Sequence, residues 1–206
     1  MKIILLVDDN DDLIALFARF FEDAGYNVLT APGGRECLEI LDHECPELIL
    51  LDIMMEPMDG WETLLKIKEN PGRAKIPVAM LTGKALSQKE FESYGRLFEH
   101  YMLKPLSESK MISLSGQIID DYNKVHEVAE AARNKGIDPV IIEEYLIVNH
   151  RVILNRRMSA SLALQGFTIP WDLAKDQERF REIEKMFADH GVYFSLESKN
   201  DEFFRN

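Results

Sequence analysis

The sequence predicts an α/β chain in which a five-stranded, doubly wound parallel sheet is followed by an all-α C-terminal region. Three observations predict it. Up to about residue 105, short continuous apolar runs alternate with segments of helical spacing. Apolar strands separated by helices imply a parallel sheet covered on both faces. Beyond Pro105 the short runs stop, and apolar residues recur in alternating steps of four and three, the mark of helices.

The five strands are expected at residues 3–7, 27–30, 48–51, 78–81 and 101–103. Between the first two, Leu13, Leu16, Phe17, Phe20 and Phe21 fall on one helical face. Two later helices have readable starts. Asp59 stands three residues before Glu62, and Ser87 three before Glu90, both capping-box patterns.

The C-terminal region opens with Ser107 as a helix cap. Met111, Ser115, Ile118, Tyr122, Val125, Ala129 and Ala132 then form a heptad seam that runs until Gly136. Gly116 inside it costs about 1 kcal/mol, and the sequence leaves open whether the helix runs through it. Asp138, Pro139 and Gly166 mark the cap, first turn and end of a second helix. Its first half is apolar almost all round, which requires cover on more than one side. A third helix is expected over residues 171–190, with Phe180, Ile183 and Phe187 on one face. The last ten residues are polar and are expected to fray. This divides the chain into a first domain, residues 1–121, and a helical output or interaction region, residues 122–206.

Composition narrows the function. Hydrophobic residues make up 46% of the 206, enough for a real core and against wholesale disorder. The formal charge of −12 repels phosphate backbones, so nucleic acid is not expected as a partner. Residues 106–206 carry 13 Lys and Arg against 17 Asp and Glu, a poor footprint for DNA. One alternative stays open: Arg151, Arg156 and Arg157 cluster on the second helix and would serve a nucleic-acid-binding regulator. The apolar start is too short for a secretion signal, and no stretch reaches membrane-spanning length. Cys37 and Cys45 lack metal-type spacing. A cytoplasmic protein with free thiols is expected.

In open parallel sheets, ligands sit at the carboxyl ends of the strands. Asp8 and Asp9 follow the first predicted strand, Asp52 the third, Thr82 the fourth, and Lys104 with Pro105 the fifth. Crowded carboxylates need a cation, and hard oxygen ligands suit Mg²⁺. A metal-associated carboxylate can attack phosphorus while a hydroxyl and an ammonium hold the remaining oxygens. The chemistry expected is phosphoryl transfer to a carboxylate.

The segments Val7-Asp8-Asp9-Asn10, Leu51-Asp52-Ile53-Met54-Met55, Met58-Asp59-Gly60, Leu81-Thr82-Gly83 and Tyr101-Met102-Leu103-Lys104-Pro105 together resemble the receiver domain of two-component response regulators. The resemblance covers residues 1 to about 121 and implies a flavodoxin-like receiver fold. It implies Asp52 as phosphoacceptor, with a histidine kinase as donor. Asp9 and Asp52 would bind Mg²⁺ directly, Asp8 through water, and the Met54 backbone carbonyl would be a further ligand. Thr82 and Lys104 would contact the phosphoryl oxygens, and Thr82 with Tyr101 would form the switch. Gly83 would keep access open, and the Lys104–Pro105 bond would be cis. One position departs: the family usually has proline four residues after the acceptor, where this chain has Glu56, with Pro57 one later. The loop beside the metal is therefore expected to be reshaped.

The resemblance implies no output activity. His126 stands beside Glu127, yet its neighbours are not those of a phosphotransfer helix, and His150 is weaker still. Residues 106–206 show no nucleophile motif, metal triad or Gly-rich loop, so an independent enzyme is not expected there. The preferred reading is an interaction module in which the heptad seam makes a homodimer or binds a downstream protein.

Overall fold

The computed structural model describes residues 2–164 and 166–193, and residues 160–164 by their backbone alone. The polar last ten residues, expected to fray, lie outside this range. Among the described residues, five strands and seven helices run in the order β1 (Ile3–Val7), α1 (Asp11–Asp23), β2 (Asn27–Ala31), α2 (Gly34–Ile40), β3 (Leu48–Leu51), α3 (Gly60–Glu69), β4 (Val78–Thr82), α4 (Gln88–Tyr94), β5 (His100–Leu103), α5 (Glu108–Asn134), α6 (Pro139–Leu164) and α7 (Leu173–Asp189). The strands form one parallel sheet in the order β2-β1-β3-β4-β5, the flavodoxin-like order. Its switch point lies between β1 and β3.

Local chemistry starts the helices where the sequence indicates. Asn10 accepts from the Leu13 amide, and Asp59 from the Glu62 amide. Ser87 and Glu90 form a reciprocal capping box. The strand period of two then separates the faces. Ile4, Leu6, Leu48, Leu50, Ala79 and Leu81 pack with Phe17 and Phe21 of α1 and with Met111, Ile118 and Ile119 of α5. Leu5, Ile49, Leu51, Val78 and Met80 are fully buried as well, so the sheet is covered on both sides.

The chain forms two compact units. The first comprises residues 1–122 with 154–170; the second, among the described residues, comprises 123–153 with 171–193. Helices α5 and α6 each contribute to both. In the second unit, Ala129 and Ala132 of α5 pack with Ile142, Tyr145, Val148 and Val152 of α6 and with Phe180, Ile183 and Phe187 of α7. The bidentate pair of Arg179 with Glu144, at 2.8 and 2.7 Å, ties α7 to α6 at its surface.

One point the sequence left open is decided here, and one expectation changes. Helix α5 is continuous through Gly116, where an added Cβ would meet the Tyr26 hydroxyl at an ordinary 3.5 Å. Its seam is not a free dimerisation face. Met111, Ser115 and Ile118 are buried in the first unit, and Ala129 and Ala132 in the second. A heptad pattern records that one side of a helix is covered, without naming what covers it. Here the chain covers it itself.

The arginine cluster is likewise spent internally. Arg151 pairs with Asp176 at 3.2 Å, and Arg156 and Arg157 share Asp121 at 2.9 Å each. The Arg157 side chain is only 8% exposed. Paired guanidinium groups of this kind are no footprint for a phosphate backbone, so the Arg151, Arg156 and Arg157 surface does not support the nucleic-acid reading.

Arg157 also touches the electrostatics of β5. Burial first, then like charge from Arg157 and Lys110, lowers the His100 pKa from 6.5 to about 4. The folded chain therefore refuses a proton that the unfolded chain accepts below 6.5. Stability from this group is complete above pH 6.5 and is lost as pH falls toward 4, by roughly 3 kcal/mol in all. Urea unfolding at pH 7 and pH 4.5 checks this. His100→Gln should flatten the difference, and an unchanged slope would refute the assignment.

Candidate functional site

Strand register builds the site. Val7 pairs with Leu51 across β1 and β3, so the next residues, Asp8 and Asp52, leave the sheet side by side. The Asp52 amide donates to the Val7 carbonyl at 2.8 Å and fixes that approach. One strand over, Thr82 ends β4 with no exposure, while Asp8 and Asp52 are 7% and 4% exposed. Lys104 follows β5, and its amide donates to the Thr82 carbonyl at 2.8 Å.

The side chains meet where the strands end. The Lys104 ammonium donates to Asp52 Oδ1 at 2.9 Å and also to Asp8 Oδ2. It lies 6.0 Å from the centroid of the Phe17 ring. The second oxygen of Asp52 accepts from the Met54 amide at 2.5 Å, and Asp8 Oδ1 accepts from the Asn10 amide at 2.9 Å. Two carboxylates are thus held close by one cation that hydrogen-bonds both and leaves one of their two negative charges uncompensated.

Asp9 stands at the rim, exposed to solvent. Among the described residues, no three Asp, Glu, His or Cys side chains already converge on a point able to hold a metal. The donors available are the oxygens of Asp8, Asp9, Asp52 and the Met54 carbonyl, a set that suits a hard divalent cation. Met54 itself is 57% exposed and lies across from Gly83, where an added Cβ would meet its Cε at 3.6 Å. The Lys104–Pro105 bond is cis, and so is Glu56–Pro57, which the sequence reading did not anticipate.

Two features escaped sequence reasoning. One is the close fit at Gly60, the first residue of α3, where a Cβ would lie 2.1 Å from the Asp52 carbonyl oxygen and 2.8 Å from Ile53 Cα. Only hydrogen fits between α3 and the acceptor loop. The other is a polar network around Lys84. Its amide donates to Thr82 Oγ1 at 3.2 Å, its carbonyl accepts from the Tyr101 hydroxyl at 2.7 Å, and its ammonium reaches Glu90 at 2.6 Å. Glu90 also accepts from Trp61 Nε1 at 3.0 Å and from Ser87. Burial alone would raise its pKa, but the hydrogen bonds from Lys84, Ser87 and Trp61 outweigh that and hold it at about 2. Tyr101 shifts the other way: burial, then Glu90 and Asp52, raise its pKa well above the ordinary range. Lys84 stands two residues beyond Thr82 in the sequence, and that spacing was the available signal.

A parallel sheet with two buried carboxylates, a hydroxyl and an ammonium at its switch point defines a receiver-type signalling domain. Residues 4–116 match the family model of the response regulator receiver domain, and the chain belongs to this family.

Among solved structures, the N-terminal domain of a response regulator receiver protein from Methanoculleus marisnigri is 46% identical, with a TM-score of 0.50. The match covers 55% of this chain and 93% of that one. A CheY-like receiver domain protein from Methanospirillum hungatei is 27% identical with a TM-score of 0.56, over 60% and 98% of the two chains. The alkaline phosphatase synthesis transcriptional regulatory protein PhoP of Bacillus subtilis is 36% identical over 109 residues, which is 52% of this chain. The match spans only 43% of PhoP's own length.

Receiver domains are phosphoacceptors in two-component signalling rather than conventional enzymes, are phosphorylated by histidine kinases, and generally bind Mg²⁺ at the phosphorylation site. No helix among the described residues is long and apolar enough to cross a membrane.

Proposed function

We propose that this chain is a response regulator that takes a phosphoryl group from a histidine kinase onto Asp52. The observation that carries the reading is the Lys104 ammonium seated between the buried carboxylates of Asp8 and Asp52. A carboxylate oxygen of Asp52 attacks phosphorus, and the bond to the donor histidine nitrogen breaks as that nitrogen keeps the electron pair. Lys104, already 2.9 Å from Asp52, is within reach of the oxygens of a phosphoryl group formed there. Thr82 Oγ1 accepts from Lys84 and has a proton left to donate to another oxygen. Mg²⁺ would be held by Asp9, Asp52 and the Met54 carbonyl, with Asp8 acting through water, and would neutralise charge on the transferring oxygens.

Metal removal tests this directly. Incubated with acetyl phosphate and Mg²⁺, the intact chain should gain the mass of one phosphoryl group, and chelation should abolish the gain. Equal labelling with and without the ion would overturn the metal assignment, and no labelling in either would overturn the function.

Residues 1–121 are proposed as the receiver and residues 122–206 as the region that passes the signal to a partner protein, in the cytoplasm. Self-association through the α5 seam has little free surface to use, because Met111, Ser115, Ile118, Ala129 and Ala132 are buried within the chain and Val125 packs against the second unit's core. Against the charge-based expectation, a nucleic-acid partner is supported by the name of PhoP, a transcriptional regulatory protein. A nucleic-acid partner would have to use a surface other than the paired arginines of α6.

A further inference from the structure

Met54 differs from the other described methionines in being open to solvent, with 57% of its surface exposed. Met55, Met80, Met102, Met111 and Met158 are buried. Met58 and Met186 are half-buried, and the Met58 sulfur faces Gly34, where an added Cβ would meet it at 2.9 Å. Oxidation of a thioether to the sulfoxide follows its access to solvent and oxidant. One methionine of the described set is therefore singled out for that reaction.

Its place gives the reaction a consequence. Met54 stands two residues after Asp52, and its amide donates to Asp52 Oδ2 at 2.5 Å. The far end of the side chain, Cε, lies where a Cβ on Gly83 would meet it at 3.6 Å. Gly83 directly follows Thr82, the buried hydroxyl that ends β4. The side chain thus runs from the acceptor loop to the end of β4, apolar along its length. An oxygen on the sulfur makes it polar and hydrated. The negative end of the new S–O dipole then stands on the loop where a phosphoryl group would bring further negative charge. Water held there can attack phosphorus, which breaks the bond to the Asp52 oxygen, frees inorganic phosphate and restores the carboxylate.

We propose that Met54 is a reversible oxidation site through which hydroperoxides lower the phosphoryl occupancy of Asp52. The proposal rests on the reading of Asp52 as acceptor. In the forward step the sulfur loses two electrons: an S–O bond forms, the peroxide O–O bond breaks, and hydrogen peroxide leaves as water. In the return step a dithiol reductant, acting through a methionine sulfoxide reductase, removes the oxygen as water and becomes a disulfide.

The full chain, treated with hydrogen peroxide and then incubated with acetyl phosphate and Mg²⁺, tests the idea. Peptide mass mapping locates the added oxygen, and intact mass gives the phosphorylated fraction. Met54 should take up oxygen before any other described methionine. The phosphorylated fraction should then fall about threefold, with thermal unfolding unchanged, and reductase treatment should restore it. Met54→Leu keeps an apolar side chain, the backbone carbonyl and the exposed Cys45 thiol. Its phosphorylated fraction should be the same before and after peroxide. Oxidation of another methionine first, an oxidised Met54 with undiminished labelling, a fall that accompanies lost thermal stability, or an equal fall in Met54→Leu overturns the proposal while leaving Asp52 as acceptor. Absence of label in the untreated chain refutes the acceptor reading itself, and the peroxide effect falls with it.

Discussion

Asp52→Asn should remove phosphoryl uptake from acetyl phosphate by on the order of a hundredfold or more while leaving the fold intact. The amide is nearly the same shape as the carboxylate, and an oxygen remains to accept from the Met54 amide, as Asp52 Oδ2 does at 2.5 Å. What disappears is the charge, and with it the nucleophile. Lys104 keeps Asp8 as a partner, so the ammonium is not stranded in the interior. The loss should therefore appear in labelling and not in unfolding. Intact mass after acetyl phosphate and Mg²⁺ reads the first, and thermal unfolding reads the second. Undiminished labelling of the variant would move the acceptor to another residue.

The second large effect is expected from Gly60→Ala. A methyl group there would lie 2.1 Å from the Asp52 carbonyl oxygen and 2.9 Å from its carbonyl carbon. Both atoms are backbone, so no side-chain rotation relieves the overlap. Helix α3 must retreat or the acceptor loop must shift. Either is an overpacking change worth about 3 kcal/mol of stability, read as a lower urea midpoint with an unchanged slope. Because the displaced carbonyl belongs to Asp52 itself, labelling should fall as well. A variant as stable and as readily labelled as the parent would show that the close approach is unimportant.

The strands and the site's members were legible because both follow from local rules. Continuous apolar runs mark strands buried on both faces. Parallel pairing then forces residues one step beyond each strand onto the same edge, which is why Asp8, Asp52, Thr82 and Lys104 could be grouped before any contact was known. The caps at Asn10, Asp59 and Ser87 are also local, since each side chain answers an amide three residues on.

Partnership between distant segments was not legible. A seam on α5 announces only that something covers it, and the receiver core and the α6–α7 pair do so. The three arginines of α6 look like a basic patch until Asp121 and Asp176 are brought against them. Gly60 reads as a helix start until the Asp52 backbone stands beside it. Periodicity and capping depend on neighbours within a few residues, so the sheet, the caps and the candidate members of the site can be read from the chain before it folds. Which surfaces are consumed internally depends on contacts far beyond that range, from the 25 residues between Arg151 and Asp176 to the 35 between Asp121 and Arg156, and these follow from the folded arrangement alone.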